Sequence, residues 1–327
     1  MTDQCDARES SMERDVGTIV VVIGGGTTGT GIAQVLLEAG VSVHLTEADQ
    51  TAADAARIRI VSGLSLSYKR ADDPNGRTEA DLDRLTMIAE LPTDVLPELV
   101  IEAVPEVREI KISVLVPASE TWSDAVIATN TSSLSVAILA RSIQGPHRFI
   151  GMHFFNPVPR SALVELVVGQ ETDPATTAKA QSWIERLGKE SIAVRDTPGF
   201  ATSRFGVVLG LEAIRMVEEG VASASDIDKG MKLGYRFPMG PLELTDLVGL
   251  DVRLAIAEHL AGELGPRFEP PALLREKVGR GELGKKSGRG FYDWADHRSL
   301  VSLDPREGCR LRGGHSCGDG ASREPFV

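Results

Sequence analysis

Cysteine is scarce: there are three in 327 residues, Cys5, Cys309 and Cys317, all near the two ends of the chain. Their spacing matches no metal site and builds no disulfide framework, so no metal is expected. Basic residues are in deficit, 35 Lys and Arg against 47 Asp and Glu. The resulting formal charge of −12 argues against a nucleic-acid or anionic-membrane surface, while leaving room for a local basic pocket. No apolar run is long enough to span a bilayer. The opening stretch MTDQCDARESSMERD is polar and has no apolar core of a signal peptide, so a cytoplasmic location is expected. There is no internal repeat. What remains, 42% hydrophobic and 25% charged, is the composition of an ordinary soluble globule with core enough for one large or two moderate domains.

The chain is organised around Ile19 to Glu47, IVVVIGGGTTGTGIAQVLLEAGVSVHLTE. The apolar, β-branched run at its start reads as a strand buried on both faces. It breaks into Gly24-x-Gly26-x-x-Gly29, and from Gly29 the residues Ile32, Val35, Leu36 and Ala39 share one helical face, closed by Gly40. A second strand, Val41 to Thr46, ends in Glu47, eighteen positions past Gly29. Gly24 permits the tight turn, Gly26 lets the main chain approach a pyrophosphate, and Gly29 lets helix and strand pack closely. The helix start favours phosphate charge. Glu47 stands where a carboxylate accepts hydrogen bonds from an adenosine ribose and repels a 2′-phosphate, so NAD is expected in preference to NADP.

Taken in order, residues 1–16 read as a disordered leader and 17–195 as a dinucleotide-binding domain. A helix is predicted from Gln50 to about Arg70; its Arg57, Arg59, Lys69 and Arg70 stand out in an acidic protein, either as a solvated face or as contacts to a ligand phosphate. Asp72 to Gly76 is a turn cluster, a short helix follows from Glu79, and strands are predicted near Met87 to Glu90 and Leu99 to Ala103. A helix is expected over Val107 to Val116, then a strand over Val126 to Ala128 that empties into Thr129-Asn130-Thr131-Ser132-Ser133. Ser133 is expected to cap the next helix, which frees Ser132 to face a substrate. Strands at Arg148 to Met152, Leu163 to Val168 and Ser191 to Val194 complete the domain. From Asp196 to about Gly279 the periodicity is almost wholly helical, with single helices expected over Phe205 to Glu219, Ser225 to Leu233, Leu242 to Leu260 and Ala272 to Val278. Residues 196–294 are thus an all-α C-terminal domain behind a Rossmann-type, doubly wound, mostly parallel sheet, and 295–327 read as a disordered tail.

A second constellation lies at His153 and Glu165. A carboxylate inside the apolar run Leu163 to Val168 needs a donor partner if buried, and His153 at the end of the preceding strand is the nearest by topology. A His so held keeps one tautomer and suits general-base work; the same pair serves equally as a buried pin between two strands. Ser132, at the end of another strand, is in position to hydrogen-bond a reacting oxygen. With NAD this combination suggests oxidation of an alcohol.

Five segments carry a resemblance to a known family: Gly24 to Gly29, Thr129 to Leu134, Gly151-Met152-His153-Phe154-Phe155-Asn156-Pro157-Val158-Pro159, Asp196-Thr197-Pro198-Gly199-Phe200, and Pro238 to Leu244. They resemble the 3-hydroxyacyl-CoA dehydrogenases, the short bacterial 3-hydroxybutyryl-CoA dehydrogenases most of all, in order from about Ile19 to Trp294. The resemblance implies His153 as catalytic base, Glu165 as its partner and Ser132 as a donor to substrate. It places Glu106 and Lys111 near the nicotinamide half of the cofactor, Thr27, Thr28 and Asn130 among the cofactor contacts, and Asn156 near the reacting centre. It also implies an acyl-CoA substrate, a role in fatty acid metabolism and a homodimer formed through the helical domain; Lys69 and Arg70 are candidates for the substrate phosphates on their charge alone. Two places depart from the family pattern: the Gly26-Thr27-Thr28-Gly29 turn lacks the usual apolar residue before its last glycine, and one active-site position differs. Ser203 stands where many members have an active-site Asn, in Pro198-Gly199-Phe200-Ala201-Thr202-Ser203-Arg204. Serine is shorter but still donates, which bears on acyl-chain preference and rate. The same chemistry on an acyl-carrier-protein thioester or a free hydroxy acid, and a catalytically idle NAD-binding protein, are the other readings.

Overall fold

A computed structural model of the chain describes residues 18–70, 76–89 and 91–294. The leader, most of the turn cluster at 71–75, the tail with Cys309 and Cys317, Cys5, and the side chain of Arg70 lie outside the described residues. Two compact units emerge among the described residues: those up to Val208 with His259–Phe268, and Leu209–Glu258 with 269–294.

The first unit is built on one eight-stranded sheet. Its strands are β1 (Ile19–Ile23), β2 (Ser42–Thr46), β3 (Leu85–Ile88), β4 (Leu99–Glu102), β5 (Val126–Thr129), β6 (Phe149–Phe154), β7 (Leu163–Val168) and β8 (Glu190–Arg195), in the order β3-β2-β1-β4-β5-β6-β7-β8. All neighbours are parallel except β6 and β7, so β7 and β8 run against the other six. The apolar runs follow from two-sided burial: Val20 and Val22 of β1 join the core on one face, Val21 and Ile23 the core on the other. The first face carries α1 (Thr27–Glu38), α2 (Gln50–Arg70) and, after the short α3 (Gly76–Leu82), later also α6 (Pro174–Arg186); the second carries α4 (Arg108–Thr121) and α5 (Val136–Ala140). Along α2, Ala56, Ile60, Leu64 and Tyr68 recur every fourth residue and are buried, which seats this long helix on α1.

After β8 the chain is helical: α7 (Thr202–Glu218), α8 (Ala224–Gly234), α9 (Pro241–Val248), α10 (Leu250–Leu264) and α11 (Ala272–Gly279). Within the second unit, Asp246 accepts from the Phe291 and Tyr292 N–H groups and from Trp294 Nε1, at 2.9, 2.9 and 2.8 Å. Asp228 takes the Leu242 and Glu243 N–H groups at the start of α9 and the Tyr292 hydroxyl. The closing Gly288 to Trp294 segment is thereby pinned to this unit.

Several local expectations change. α3 and α7 each begin three residues before their expected starts, at Gly76 and Thr202. The single helix expected over Leu242 to Leu260 is two, parted at Gly249, whose φ of +102° no helix accommodates. The helix expected to stop at Val116 runs on to Thr121 with Pro117 inside it. β3 begins at Leu85, two residues before the predicted strand. Ser135, not Ser133, caps α5, its Oγ accepting the Ile138 N–H at 3.2 Å.

Candidate active site

β1 ends at Ile23 and the chain turns at Gly24, φ +99°, where a Cβ would stand 2.9 Å from the Ala103 carbonyl beyond β4. A Cβ at Gly29 would collide with the Gly24 carbonyl oxygen. Around Gly26 the corresponding space is open to 4 Å. α1 starts there with no side-chain cap and no acid in its first turn, a helix start suited to an anion. The turn forms one wall of a groove of about 740 Å³ whose other walls are Glu47 and Ala48 after β2, Ala103 to Pro105 after β4, and Ile110 and Val114 of α4. It opens where the strand order reverses between β1 and β4, the place where open α/β sheets take ligands. A second cavity of about 630 Å³, between Trp122 and Trp183 before the N-terminal ends of β4 and β5, includes none of the expected site residues. The groove therefore fits a dinucleotide: glycines where a pyrophosphate needs room, an uncapped helix start, and a carboxylate at the ribose end.

Glu47 Oε1 accepts the Gly25 N–H at 2.7 Å, while Arg59 of α2 donates to the Gly25 carbonyl at 2.6 Å. One glycine is thus held on both its polar groups, by an acid from β2 and a guanidinium from α2. Lys69 is exposed near the far end of α2, ten residues and about 15 Å of helix rise beyond Arg59. The basic residues that the sequence groups together are therefore separated, and Arg59 is the one at the turn.

Beyond β4 lies a buried ionic cluster: Glu106 and Lys111 are among the residues the resemblance names, but their pairing, and Glu102 at its centre, were not expected. Lys111 has no exposed surface, and its Nζ lies 2.7 and 3.0 Å from the two Glu102 carboxylate oxygens and 3.3 Å from Glu106 Oε2. Glu102 also takes the Val104 N–H at 2.7 Å and the Thr129 hydroxyl at 2.5 Å. Burial pushes the Glu102 carboxyl up, against the pull of Lys111, Thr129 and Val104. Glu106 Oε1 gathers the next loop: it accepts the Thr131 hydroxyl (2.6 Å), the Ser132 and Ser133 N–H groups (2.9 Å each) and the Ser133 hydroxyl (3.0 Å). Burial raises Glu106 too, but Lys111 and these donors together hold it below the usual carboxylate value. Ser132 is exposed, its Oγ 3.5 Å from Glu106 Oε1. The signal for this cluster was an acid closing the apolar run Leu99–Glu102, which reads as a strand meeting solvent.

His153 and Glu165 are direct partners in the antiparallel β6–β7 ladder, and His153 Nδ1 lies 3.1 Å from Glu165 Oε2. The Glu165 side chain is wholly buried. Its other donors come from the start of α7: the Ala201 and Thr202 N–H groups reach Oε1 at 2.9 and 3.1 Å, and the Thr202 hydroxyl reaches Oε2 at 2.7 Å. Burial alone would raise this carboxyl; the donors from His153, Thr202 and Ala201 outweigh it and hold the group below its usual value. An ionised carboxylate only accepts, so the facing Nδ1 carries a proton, and in the neutral ring the free lone pair is then on Nε2. The rings of Phe155 and Phe200 lie 4.5 and 5.9 Å from the imidazole, centroid to centroid. Two asparagines brace this loop: Asn130 Oδ1 accepts the Phe154 N–H at 2.9 Å, and Asn156 Nδ2 donates to Thr28 Oγ1 at 2.9 Å, joining the histidine loop to the glycine turn. Ser203 follows Thr202 on the first turn of α7, partly buried.

Residues 19–197 match the model of the 3-hydroxyacyl-CoA dehydrogenase NAD binding domain, and 199–294 that of the C-terminal domain of the same family. The chain is 41% identical over 283 residues to a 3-hydroxybutyryl-CoA dehydrogenase of Mycobacterium tuberculosis, covering 84% of this chain and 98% of that one. A probable 3-hydroxybutyryl-CoA dehydrogenase of Bacillus subtilis is 37% identical over 282 residues, covering 86% and 98%. Among solved structures, the (S)-3-hydroxybutyryl-CoA dehydrogenase of Ralstonia eutropha is 38% identical, with a TM-score of 0.80 over 84% of this chain and 98% of that one.

Proposed function

The chain belongs to the 3-hydroxyacyl-CoA dehydrogenase family, and on that premise we propose how its residues oxidise an L-3-hydroxyacyl-CoA to the 3-oxoacyl thioester, and catalyse the reverse. It is an NAD-dependent oxidoreductase of that family. NAD, when bound, supplies the acceptor for the hydride that leaves C3 of the substrate. Gly24, Gly26, Thr27, Thr28 and Gly29 would hold its pyrophosphate and Glu47 its adenosine ribose, with Asn130 and Glu106 toward the nicotinamide; Lys111 would act through Glu106, which it pairs.

His153 Nε2 takes the proton of the C3 hydroxyl as general base, and Glu165, accepting from Nδ1–H, holds the ring in that tautomer and stabilises the imidazolium that forms. The exposed Ser132 donates to the reacting oxygen, with Asn156 and Ser203 beside the substrate. The carrier is CoA, with Lys69 and Arg70 near its phosphates, and short chains such as 3-hydroxybutyryl are preferred. The same reading makes the protein a cytoplasmic enzyme of fatty acid metabolism. It also makes it a homodimer through the helical region 196–294; Leu233 and Tyr235, 73% and 75% exposed, support a partner there, and a solution mass of twice 35.0 kDa is expected.

The observation that carries this reading is the buried His153–Glu165 pair, whose carboxylate is satisfied by four protein donors. A panel of 3-hydroxyacyl-CoA esters and free hydroxy acids, followed by NADH absorbance, tests it. Turnover of short acyl-CoA esters is expected; turnover of the free acids alone would move the substrate assignment, and turnover of none would leave an idle NAD-binding protein.

A further inference from the structure

The carboxylate behind His153 has two unlike oxygens. Oε1 is taken by main-chain donors, the Ala201 and Thr202 N–H groups at 2.9 and 3.1 Å. Oε2 is shared by two side chains: His153 Nδ1 at 3.1 Å and the Thr202 hydroxyl at 2.7 Å. The main-chain bonds survive any substitution at 202 that keeps α7 helical, but the hydroxyl bond does not. Thr202 is the first residue of α7, and its two N–H and O–H donors clamp both carboxylate oxygens at once.

We propose that Thr202 is a positioning residue for the reaction: its hydroxyl competes with the His153 imidazole for Glu165 Oε2, and so sets how strongly the carboxylate favours the protonated ring. The inference rests on reading His153 as the base. A donor on an anionic oxygen draws charge from it, and the oxygen then attracts a second donor less. With the hydroxyl gone, Oε2 answers to His153 alone, the Nδ1–H bond strengthens, and the protonated imidazole persists to higher pH. Serine keeps the hydroxyl and should keep the balance.

The charges that face His153 are few. β7 contributes Glu165 as its single ionisable residue, while β5 and α5, both packed on β6, contribute none. α6 also packs on β6 and carries Lys179, Glu185 and Arg186; none of the three forms an ion pair with His153 in the structure, and α7 adds Arg204 two residues past Thr202. Thr202 is uncharged, so its substitution alters the pull of Glu165 without altering the count of charges.

The test compares the wild type with Thr202→Val and Thr202→Ser. The His153 imidazole is followed by NMR chemical shift against pH in the enzyme without substrate, and the acidic limb of kcat/KM is measured in parallel. In Thr202→Val both midpoints should rise together by roughly half a pH unit, with KM for NAD unchanged; Thr202→Ser should superimpose on the wild type. An imidazole titration in Thr202→Val that superimposes on the wild type overturns the proposal, as does a serine variant that behaves like valine. A titration that moves while the kinetic limb stays fixed supports the contact and overturns His153 as the base.

Discussion

Asn156 and Thr28 stand 128 positions apart in the chain and 2.9 Å apart in space, with Asn156 Nδ2 donating to Thr28 Oγ1. The bond ties the loop that follows β6 to the first turn of α1, and so fixes the imidazole loop relative to the cofactor turn. Removing either partner should loosen both. Asn156→Ala and Thr28→Val are each expected to lower kcat/KM by roughly threefold to tenfold, the equivalent of one modest hydrogen bond. In a double-mutant cycle the two losses should fall short of additive by about 1 kcal/mol, and full additivity would mean that the bond contributes nothing.

Glu47 and Arg59 grip the same glycine but should differ in what they discriminate. Glu47→Ala removes the charge that repels a 2′-phosphate along with a ribose acceptor, so NAD affinity should fall more than NADP affinity. Arg59→Ala loosens the turn through the Gly25 carbonyl and should weaken both cofactors by similar factors. Fluorescence titration of each variant with the two cofactors separates the roles; equal losses in Glu47→Ala would show that the carboxylate does not read the ribose.

The Glu102–Lys111 pair lies wholly inside the first unit, so breaking it leaves one charge unpaired. Lys111→Met is expected to cost about 3–5 kcal/mol in urea unfolding. The double variant Glu102→Gln with Lys111→Met should recover part of that loss, because no charge is then left buried without a partner. Recovery of none would place the cost in the Thr131 to Ser133 loop that Glu106 gathers, rather than in the pair.

Much of this was legible in the sequence where the signal is local. The β1 run, the three glycines and Glu47 fall within thirty residues, and each follows from two-sided burial, turn geometry or charge. The His153–Glu165 pairing was readable because sequential strands joined by a short turn are commonly neighbours. What was not legible is contact over long separations. Thr202 reaches Glu165 from 37 positions away and Thr129 reaches Glu102 from 27, and no periodicity marks either. Ser133 was mistaken for a helix cap because serine before an apolar run is a cap by local rules; the Glu106 carboxylate, brought there by the sheet, took its hydroxyl instead. The burial of Lys111 is hidden for a related reason, since a lysine on an amphipathic helix reads as exposed until the buried carboxylate beneath it is known.

Of the carboxyls in the candidate site, Glu106 and Glu165 are held below the ordinary value of 4.5 in the folded protein; outside it Glu282 and Asp251 are lowered too and act with the same sign. A group depressed on folding contributes stability that is full above its unfolded value and lost as pH falls through its folded value. Glu102, raised by burial, has the opposite sign and acts above 4.5. Resistance to urea should therefore drop as pH falls below 4.5, and Glu165→Gln should flatten that drop. Urea midpoints taken from about pH 6 to about pH 3 check the sign; a slope unchanged in Glu165→Gln would remove this carboxyl from the linkage.

The proton-accepting role of His153 is tested most directly by His153→Ala, measured as the rate of NADH formation from saturating 3-hydroxybutyryl-CoA and NAD. A general base removed in this way should lower kcat by roughly 10²–10⁴ while the dissociation constant for NAD stays near that of the wild type. A loss of less than about tenfold, with cofactor binding intact, would contradict the assignment and put the proton acceptor elsewhere.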